Sequence, residues 1–214
     1  MAKTEKTTSK PKDVIDAGIK ASLALGAEQP WAEITLAKIA DKSGLTLADF
    51  FGKADKVSLS DAIEGWFDKA MSAEAADMDD SPRERLFEVI MLRFEAMEPY
   101  RDGLLSLMKW RGRSPARLAA LLIARRRTAE WALACAGLDT SGEVPLAAKT
   151  LNMGWVISRS ERAWRKEESA DFARTMAMLD AELRGSEERL GWVDRLRGRR
   201  RKTPEADTAD TDTA

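Results

Sequence analysis

Histidine is absent from this chain of 214 residues, and cysteine occurs once, at Cys135. Histidine is the commonest general base and metal ligand of proteins, so a zinc site or a Ser-His-Asp or Cys-His catalytic arrangement cannot be assembled here. No pair of carboxylates stands out from an apolar setting either. We therefore expect no enzymatic activity, no metal and no cofactor. A single thiol also excludes an intramolecular disulfide and fits a reducing cytosol.

Long apolar segments are missing as well. No uninterrupted apolar run approaches the roughly 18–20 residues that span a bilayer, and the N-terminal MAKTEKTTSKPK has no apolar stretch typical of an export signal. With 44% apolar and 33% charged residues, the composition predicts a folded cytoplasmic protein. The formal net charge of −1 gives no overall attraction to nucleic acid. Any such partner must therefore meet a local basic patch.

Helical spacing of the apolar residues runs through the whole chain, with no strand-like alternation between turn residues. We predict an all-α protein of about nine helices, with a three-helix head and a six-helix body. The predicted domains are a flexible basic arm (residues 1–12), the head (13–55), a ligand-binding and dimerisation body (56–196), and a basic cluster followed by a disordered acidic tail (197–214). A fourth helix, predicted over residues 56–76, joins head to body.

Three further patterns mark the ends of body helices. Ser81-Pro82-Arg83-Glu84 is a capping box with proline at the first helical position, which predicts a helix start. Ser114-Pro115 repeats the cap and the proline. Gly137 stands where the helix begun at Pro115 would end, because a left-handed residue often follows a helix.

Residues 34–56 indicate a helix-turn-helix, a motif whose second helix enters the DNA major groove. Leu36, Ile39 and Ala40 recur at helical spacing, and Gly44 stands where the chain must turn sharply. Thr46 can cap a second, short helix. Every arginine of the chain lies at position 83 or later. Because DNA affinity comes largely from cations on phosphates, the head must rely on lysines.

This motif resembles the tetracycline-repressor (TetR) family of one-component transcriptional regulators. The stretch ITLAKIADKSGLT, the pair Phe50-Phe51 and Lys56 at the start of the fourth helix carry the resemblance; Phe51 stands where the family usually has tyrosine. The resemblance implies a homodimer that binds double-stranded DNA and whose affinity changes when the body binds an apolar small molecule. The residues expected at the DNA are Thr35, Lys38, Thr46, Leu47, Ala48, Phe51, Lys53 and Lys56.

The chain is rich in tryptophan and methionine, with seven and nine copies. In TetR-like proteins the body helices surround a ligand cavity, and these side chains line adaptable apolar pockets well. They would equally fill a packed core, and the two interpretations are not mutually exclusive. The residues expected to bind the ligand are Trp66, Met91, Phe94, Met108, Trp131, Met153 and Trp155.

The last two body helices are the predicted homodimer interface. Phe172, Met176, Leu179 and Leu183 form one apolar stripe on the ninth helix, which suits packing against a partner. The eighth helix is apolar on several sides, so it needs neighbours on more than one of them. We therefore predict a four-helix bundle across a two-fold axis.

Two other functions stay open at this point. The body is also distantly similar to the lipid-binding family of ubiquinone biosynthesis, which shares the TetR architecture without acting as a repressor. The alternative is therefore a lipid-binding accessory protein, and a helical interaction module without a ligand is a third possibility. Residues 190–202 could form a basic amphipathic helix at an anionic membrane surface, although a plain extension of the last helix explains the same pattern.

Overall fold

The computed structural model describes residues 11–142 and 144–201, with side chains over residues 14–142 and 144–191. Within these ranges the chain forms nine α-helices and no β-strand, which confirms the predicted fold class. The helices are α1 (Pro11–Glu28), α2 (Leu36–Ser43), α3 (Leu47–Phe50), α4 (Lys56–Asp68), α5 (Pro82–Met97), α6 (Arg101–Arg111), α7 (Pro115–Cys135), α8 (Leu146–Trp164) and α9 (Ala173–Arg201).

The head consists of α1, α2 and α3, with α2 packed between the other two. Ile39, Ala40 and Phe50 point into its core and are buried. Gly44 ends α2 with a φ of 70°, and its backbone N–H donates to the carbonyls of Ala40 and Asp41. Because this left-handed conformation favours glycine, the predicted sharp turn is confirmed.

The connecting helix α4 begins at a cap and ends earlier than predicted. The Asp55 carboxylate accepts a hydrogen bond from the Ser58 N–H at 2.7 Å. The α-helix stops at Asp68, and one turn of 3-10 helix follows over Lys69–Ser72, so the predicted extension to residue 76 is wrong. Beyond Met71, which is buried, the sequence is alanine and acid with little apolar surface to hold a helix against the body.

The body is formed by α4 to α9, and its helix starts follow the predicted signals. Ser81 Oγ accepts from the Glu84 N–H at 3.3 Å, and the Glu84 carboxylate accepts from the Ser81 N–H at 3.0 Å. This capping box begins α5 at Pro82. Proline also stands at the start of α7, at Pro115, but the Ser114 side chain makes no capping hydrogen bond there, so the predicted cap of α7 is wrong. Gly137 follows the end of α7 with a φ of 68°, as predicted.

The apolar stripe of α9 packs on the body of its own chain. Leu179 and Leu183 are buried, while Phe172 and Met176 are half-buried against the same core. Phe172 lies just before α9, whose neighbours are α8 and α5. Leu179 and Leu183 are therefore not available to a partner, contrary to the expectation, while the homodimer of the last two helices stays a prediction. Helical periodicity shows that a face needs cover, but it does not tell a helix of the same chain from a partner.

Several predictions fall on the ends of the chain. Residues 1–10 of the basic arm and residues 202–214 of the tail lie outside the described residues, and α1 begins at Pro11. The backbone of α9 is helical through Arg201, while the side chains from position 192 onward are not among those described. None of the helices in the described ranges combines the length and the apolar character that crossing a membrane requires.

Candidate nucleic-acid interface and ligand site

The second helix of the helix-turn-helix, α3, is a single turn that is closed by its own side chains. The Asp49 carboxylate accepts from the Thr46 backbone N–H at 2.8 Å and from the Thr46 hydroxyl at 2.7 Å. In so short a helix most backbone N–H groups lack an intrahelical partner, and the Asp49 carboxylate turns back to the cap to accept one of them.

The outer surface of α3 and the following turn is exposed and partly apolar. Leu47 is 53% exposed and Phe51 is 89% exposed, and Ala48 and Lys53 are exposed beside them. Gly52 has a φ of 70°, which turns the chain directly after Phe51. Four of the residues expected at the DNA are thus together on one accessible surface.

Thr35 and Lys38 lie at the start of α2 and are occupied within the head. Thr35 Oγ1 accepts from the Lys38 backbone N–H at 3.3 Å and caps the helix. The Lys38 ammonium donates to Gln29 Oε1 at 2.7 Å and to the Glu33 carbonyl at 3.1 Å. Both residues therefore hold α2 against the loop that precedes it, a role that the sequence pattern did not indicate.

Lys56 is held at the junction of head and body. Its ammonium donates to the carbonyls of Trp31 and Ala32, at 2.7 and 3.3 Å, and lies 5.4 Å from the centre of the Trp110 ring. The Arg117 guanidinium lies 3.7 Å over that ring. Burial, together with the neighbouring positive charge of Arg117, lowers the pKa of Lys56.

Most residues expected to line a ligand cavity instead fill the core of the body. Phe94 is fully buried and stacks on Trp164, with ring centroids 6.4 Å apart and planes at 24°. Met91 and Met153 belong to the same core. Half-buried Trp66 meets Phe67 and Tyr100 edge to face, and half-buried Met108 packs against the core.

A network of buried charges occupies the middle of the body. Arg93 of α5 is fully buried; its guanidinium lies 2.5 Å from the Glu64 carboxylate and 2.8 Å from that of Asp68. Glu64 also accepts from Arg111 of α6 at 2.7 Å. Thr128 of α7 donates to Asp68 at 2.9 Å. Two acids of α4 thus connect that helix to three others of the body.

The network continues between α7 and α8. Arg125 is buried and donates to the buried Glu161, which also accepts from Arg165 at 2.6 Å. Of the three consecutive arginines at positions 125–127, Arg125 is thus the one that meets an internal acid. Its Nη1 is buried without a hydrogen-bond partner in the described part of the chain.

The pKa shifts follow from these charges. Burial would raise the pKa of Glu64, but the guanidiniums of Arg125, Arg93 and Arg111 outweigh it and hold that pKa at about 2. For Asp68 burial prevails over Arg93, and its pKa is raised. The charged form of Glu64 is therefore part of the fold at neutral pH.

Sequence reasoning missed this network, although a signal was available. Arg93 falls between Ile90 and Phe94 on the apolar stripe of α5, and Glu64 lies beside Ile63 on that of α4. A charged residue on a buried face requires a partner of opposite charge. Several such residues on different helices therefore predict one shared cluster.

Trp131 and Trp155 are placed on the surface, not in an interior pocket. Trp131 is 45% exposed on α7 and Trp155 is 57% exposed on α8. Trp155 lies one turn after Leu151, which is 77% exposed. The expectation that these two tryptophans line a cavity within one chain is wrong, because each sits on the solvent side of its helix.

A small apolar cleft of about 170 Å³ lies between α5, α7, α8 and α9. Met153, one of the predicted ligand residues, lines it, and so do three charged side chains, Arg83, Lys149 and Glu187. The apolar part of the lining is largely buried and consists of Leu86, Leu133, Leu138, Met153, Leu183 and Leu190. This arrangement suits a small apolar ligand, since typical ligand pockets measure roughly 300–1,000 Å³.

With a helix-turn-helix head on a helical body, the fold is that of TetR-family transcriptional regulators. A TetR regulator from Nitrosomonas europaea ATCC 19718 matches 83% of this chain and 98% of its own, with a TM-score of 0.66 and 19% sequence identity. One from Rhodococcus sp. RHA1 matches 82% and 96%, with a TM-score of 0.60 and 13% identity. One from Streptomyces coelicolor matches 92% of each chain, with a TM-score of 0.57 and 18% identity. No protein-family model and no curated protein matches the sequence.

Proposed function

We propose that this protein is a homodimeric one-component transcriptional regulator that binds double-stranded DNA through α3 and an apolar small molecule through its body. The observation that carries the proposal is the exposed surface of Leu47, Ala48, Phe51 and Lys53 on a TetR-like head. Apolar side chains in the major groove meet the thymine methyl group, and a lysine meets phosphate.

The test measures binding to a DNA duplex from the region upstream of the protein's own gene, by fluorescence anisotropy over a series of salt concentrations. We expect Lys53→Ala to weaken binding to every sequence and to lower the salt slope by roughly one unit for each phosphate that is no longer neutralised. Leu47→Ser should change the sequence preference instead. Lys166→Ala, an exposed lysine just beyond the end of α8, is the control.

A different result would support the alternative function. If the wild-type protein binds neither this duplex nor any genomic fragment recovered by immunoprecipitation, the proposed function as a regulator is contradicted. A rise in melting temperature with lipid but no DNA binding would then favour a lipid-binding accessory protein.

In the proposed regulator, α4 would couple ligand binding in the body to DNA binding by the head. Its first residue, Lys56, contacts the head, while Glu64 and Asp68 bind α5, α6 and α7. A ligand that shifts the body helices by an ångström or two would therefore move the head of each subunit. In a dimer this changes the spacing of the two heads and so the affinity for DNA.

The proposed ligand site is the cleft around Met153, and it accommodates a short apolar molecule. Two cations, Arg83 and Lys149, face one acid, Glu187, in its lining, which would favour an acidic end group. We expect octanoate to raise the melting temperature through binding to the native state, and octanol to do so less. Met153→Glu should remove the shift, whereas Leu122→Glu at an exposed position of α7 should retain it. Equal shifts in both variants would place the ligand elsewhere.

A further inference from the structure

A group of cationic side chains lies at the turn from α6 to α7 without acidic partners. Lys109 and Arg113 are exposed, and Arg117 stacks on Trp110. In the part of the chain whose side chains are described, none of these three forms an ion pair within 4.0 Å, in contrast to Arg111, which binds Glu64. Their charge is therefore available to a partner.

The local sequence concentrates positive charge in the same place. Between Asp102 and Glu130 the chain carries seven basic residues and no acidic one. Two of the seven, Arg111 and Arg125, are buried and paired with acids from other helices. A third, Arg126, pairs with Glu130 further along α7. Lys109, Arg113 and Arg117 give the turn from α6 to α7 a positive surface, although the whole chain has a formal net charge of −1.

The turn lies next to the head, close to the residues proposed to meet DNA. Arg111, at the end of α6, donates to the Ser60 carbonyl in the second turn of α4. The ring centroids of Trp110 and of Trp31 in the head are 6.4 Å apart, and the Lys56 ammonium lies 5.4 Å from the centre of the Trp110 ring. Lys56 comes three residues after Lys53, so the turn after α3 and the start of α7 both lie near the first turn of α4.

Lys56 and Arg117 bring two like charges to one aromatic ring. Burial and the positive charge of Arg117 both lower the pKa of Lys56. Such an arrangement repels itself, and an anion with several charges along its length relieves the repulsion. Duplex DNA presents one negative charge for roughly every 1.7 Å of its axis.

We propose that Lys109, Arg113 and Arg117 form a phosphate-binding surface, the basic shelf, by which the body contacts the DNA backbone beside the groove that α3 enters. The inference rests on the proposed function. The basic shelf supplies arginines, which the head lacks because every arginine of the chain lies at position 83 or later. The shelf contacts phosphates, so it adds affinity without adding sequence preference.

The experiment uses the full chain and a mixed-sequence 30-base-pair duplex at low salt, because phosphate contacts need no particular operator. We expect Lys109→Ala and Arg113→Ala each to weaken binding by about threefold or more and to lower the salt slope by about one unit. Arg127→Ala is the matched control, since Arg127 is an exposed arginine of α7 about 15 Å further along the helix than Arg117. Unchanged melting temperatures verify that the variants fold.

Two outcomes would overturn the shelf. If Lys53→Ala weakens binding but Lys109→Ala and Arg113→Ala behave as the Arg127 control does, DNA binding stands and the shelf is wrong. If the two shelf variants lose binding to anionic phosphatidylserine vesicles but not to the duplex, the surface serves a membrane instead. Absence of any DNA binding by the wild-type protein contradicts the proposed function itself.

Discussion

Arg93 in the body and Lys53 in the head illustrate two opposite uses of a positive charge. Arg93 is fully buried and pairs with two carboxylates of α4, so its charge is balanced inside the fold. Lys53 is exposed on the turn after α3, and no ion pair forms on its side chain among those described. The buried charge of Arg93 therefore connects helices, whereas the exposed charge of Lys53 is the one that the proposed function assigns to a partner.

Apolar side chains differ between the two regions in a related way. In the head, Leu47 and Phe51 are exposed around a one-turn helix, where they suit a groove. In the body, Leu151 and Trp155 are exposed one turn apart on α8, where they suit a flat helix face. The first surface is the one proposed to meet DNA, and we propose the second as the contact with an identical copy of the same helix.

The largest expected effect comes from breaking the buried network. Arg93→Ala leaves Glu64 and Asp68 without one of their guanidiniums, and removing one partner of a buried pair costs about 3–5 kcal/mol. Urea unfolding measures the loss of free energy of unfolding. Arg127→Ala, on the surface, should change it by less than about 0.5 kcal/mol. Similar values for both variants would show that the network does not stabilise the body.

The second test concerns the exposed face of α8. If it forms the homodimer, Trp155→Glu should convert the protein to a monomer, because a buried tryptophan at an interface is worth about 2 kcal/mol or more and a buried carboxylate adds a further cost. Sedimentation at micromolar concentration measures the oligomeric state of the wild type and the variant. Trp131→Glu, on α7, should remain dimeric. A wild-type monomer under the same conditions contradicts the dimer.

A third prediction compares two glycines, one at the contact of head and body and one in open space. A Cβ at Gly103 of α6 would lie 2.2 Å from the Leu23 carbonyl oxygen of α1, whereas a Cβ at Gly65 of α4 meets nothing within 4 Å. Gly103→Ala should therefore destabilise by about 1–3 kcal/mol, as overpacking does. Gly65→Ala should stabilise by about 0.5–1 kcal/mol. Thermal unfolding of both variants checks the pair, and equal effects would show that α1 and α6 can separate.

The smallest effect is a change in the acid sensitivity of the body. The pKa of Glu64 is held at about 2, below its ordinary value of 4.5. Its contribution to stability is therefore complete above pH 4.5 and is lost as the pH falls toward about 2. Glu64→Gln should flatten the fall in unfolding free energy over that interval. An unchanged slope in the variant would mean that other carboxylates control acid unfolding.

Much of the fold was predictable because it depends on local chemistry. Ser81 and Pro82 begin a helix through a cap and a fixed φ, and Gly44 turns the chain because it tolerates a positive φ. The exposed positions of α3 followed from the helix-turn-helix pattern as well. The end of α4 was missed because the spacing of apolar residues does not distinguish a helix from a loop where few residues are buried.

The interior of the body was less accessible to sequence reasoning. The sequence pattern is the same whether apolar residues line a cavity or fill a core, as for Met91, Phe94 and Met153. Only the residues packed around them distinguish the two arrangements. Trp155 was assigned inward because tryptophan is large and apolar, yet it lies on the outside of α8. Which side of a helix faces solvent depends on the helices that pack against it.

The sequence by itself determined the helical class, the turn at Gly44 and the absence of histidine chemistry, because each depends on residue type and short-range spacing. Tertiary structure alone decided that Arg93, Glu64 and Asp68 meet in the centre and that Lys109, Arg113 and Arg117 adjoin the head. These juxtapositions join residues tens of positions apart. Charges have no preferred partner until packing brings two helices within a few ångströms, where burial makes pairing obligatory.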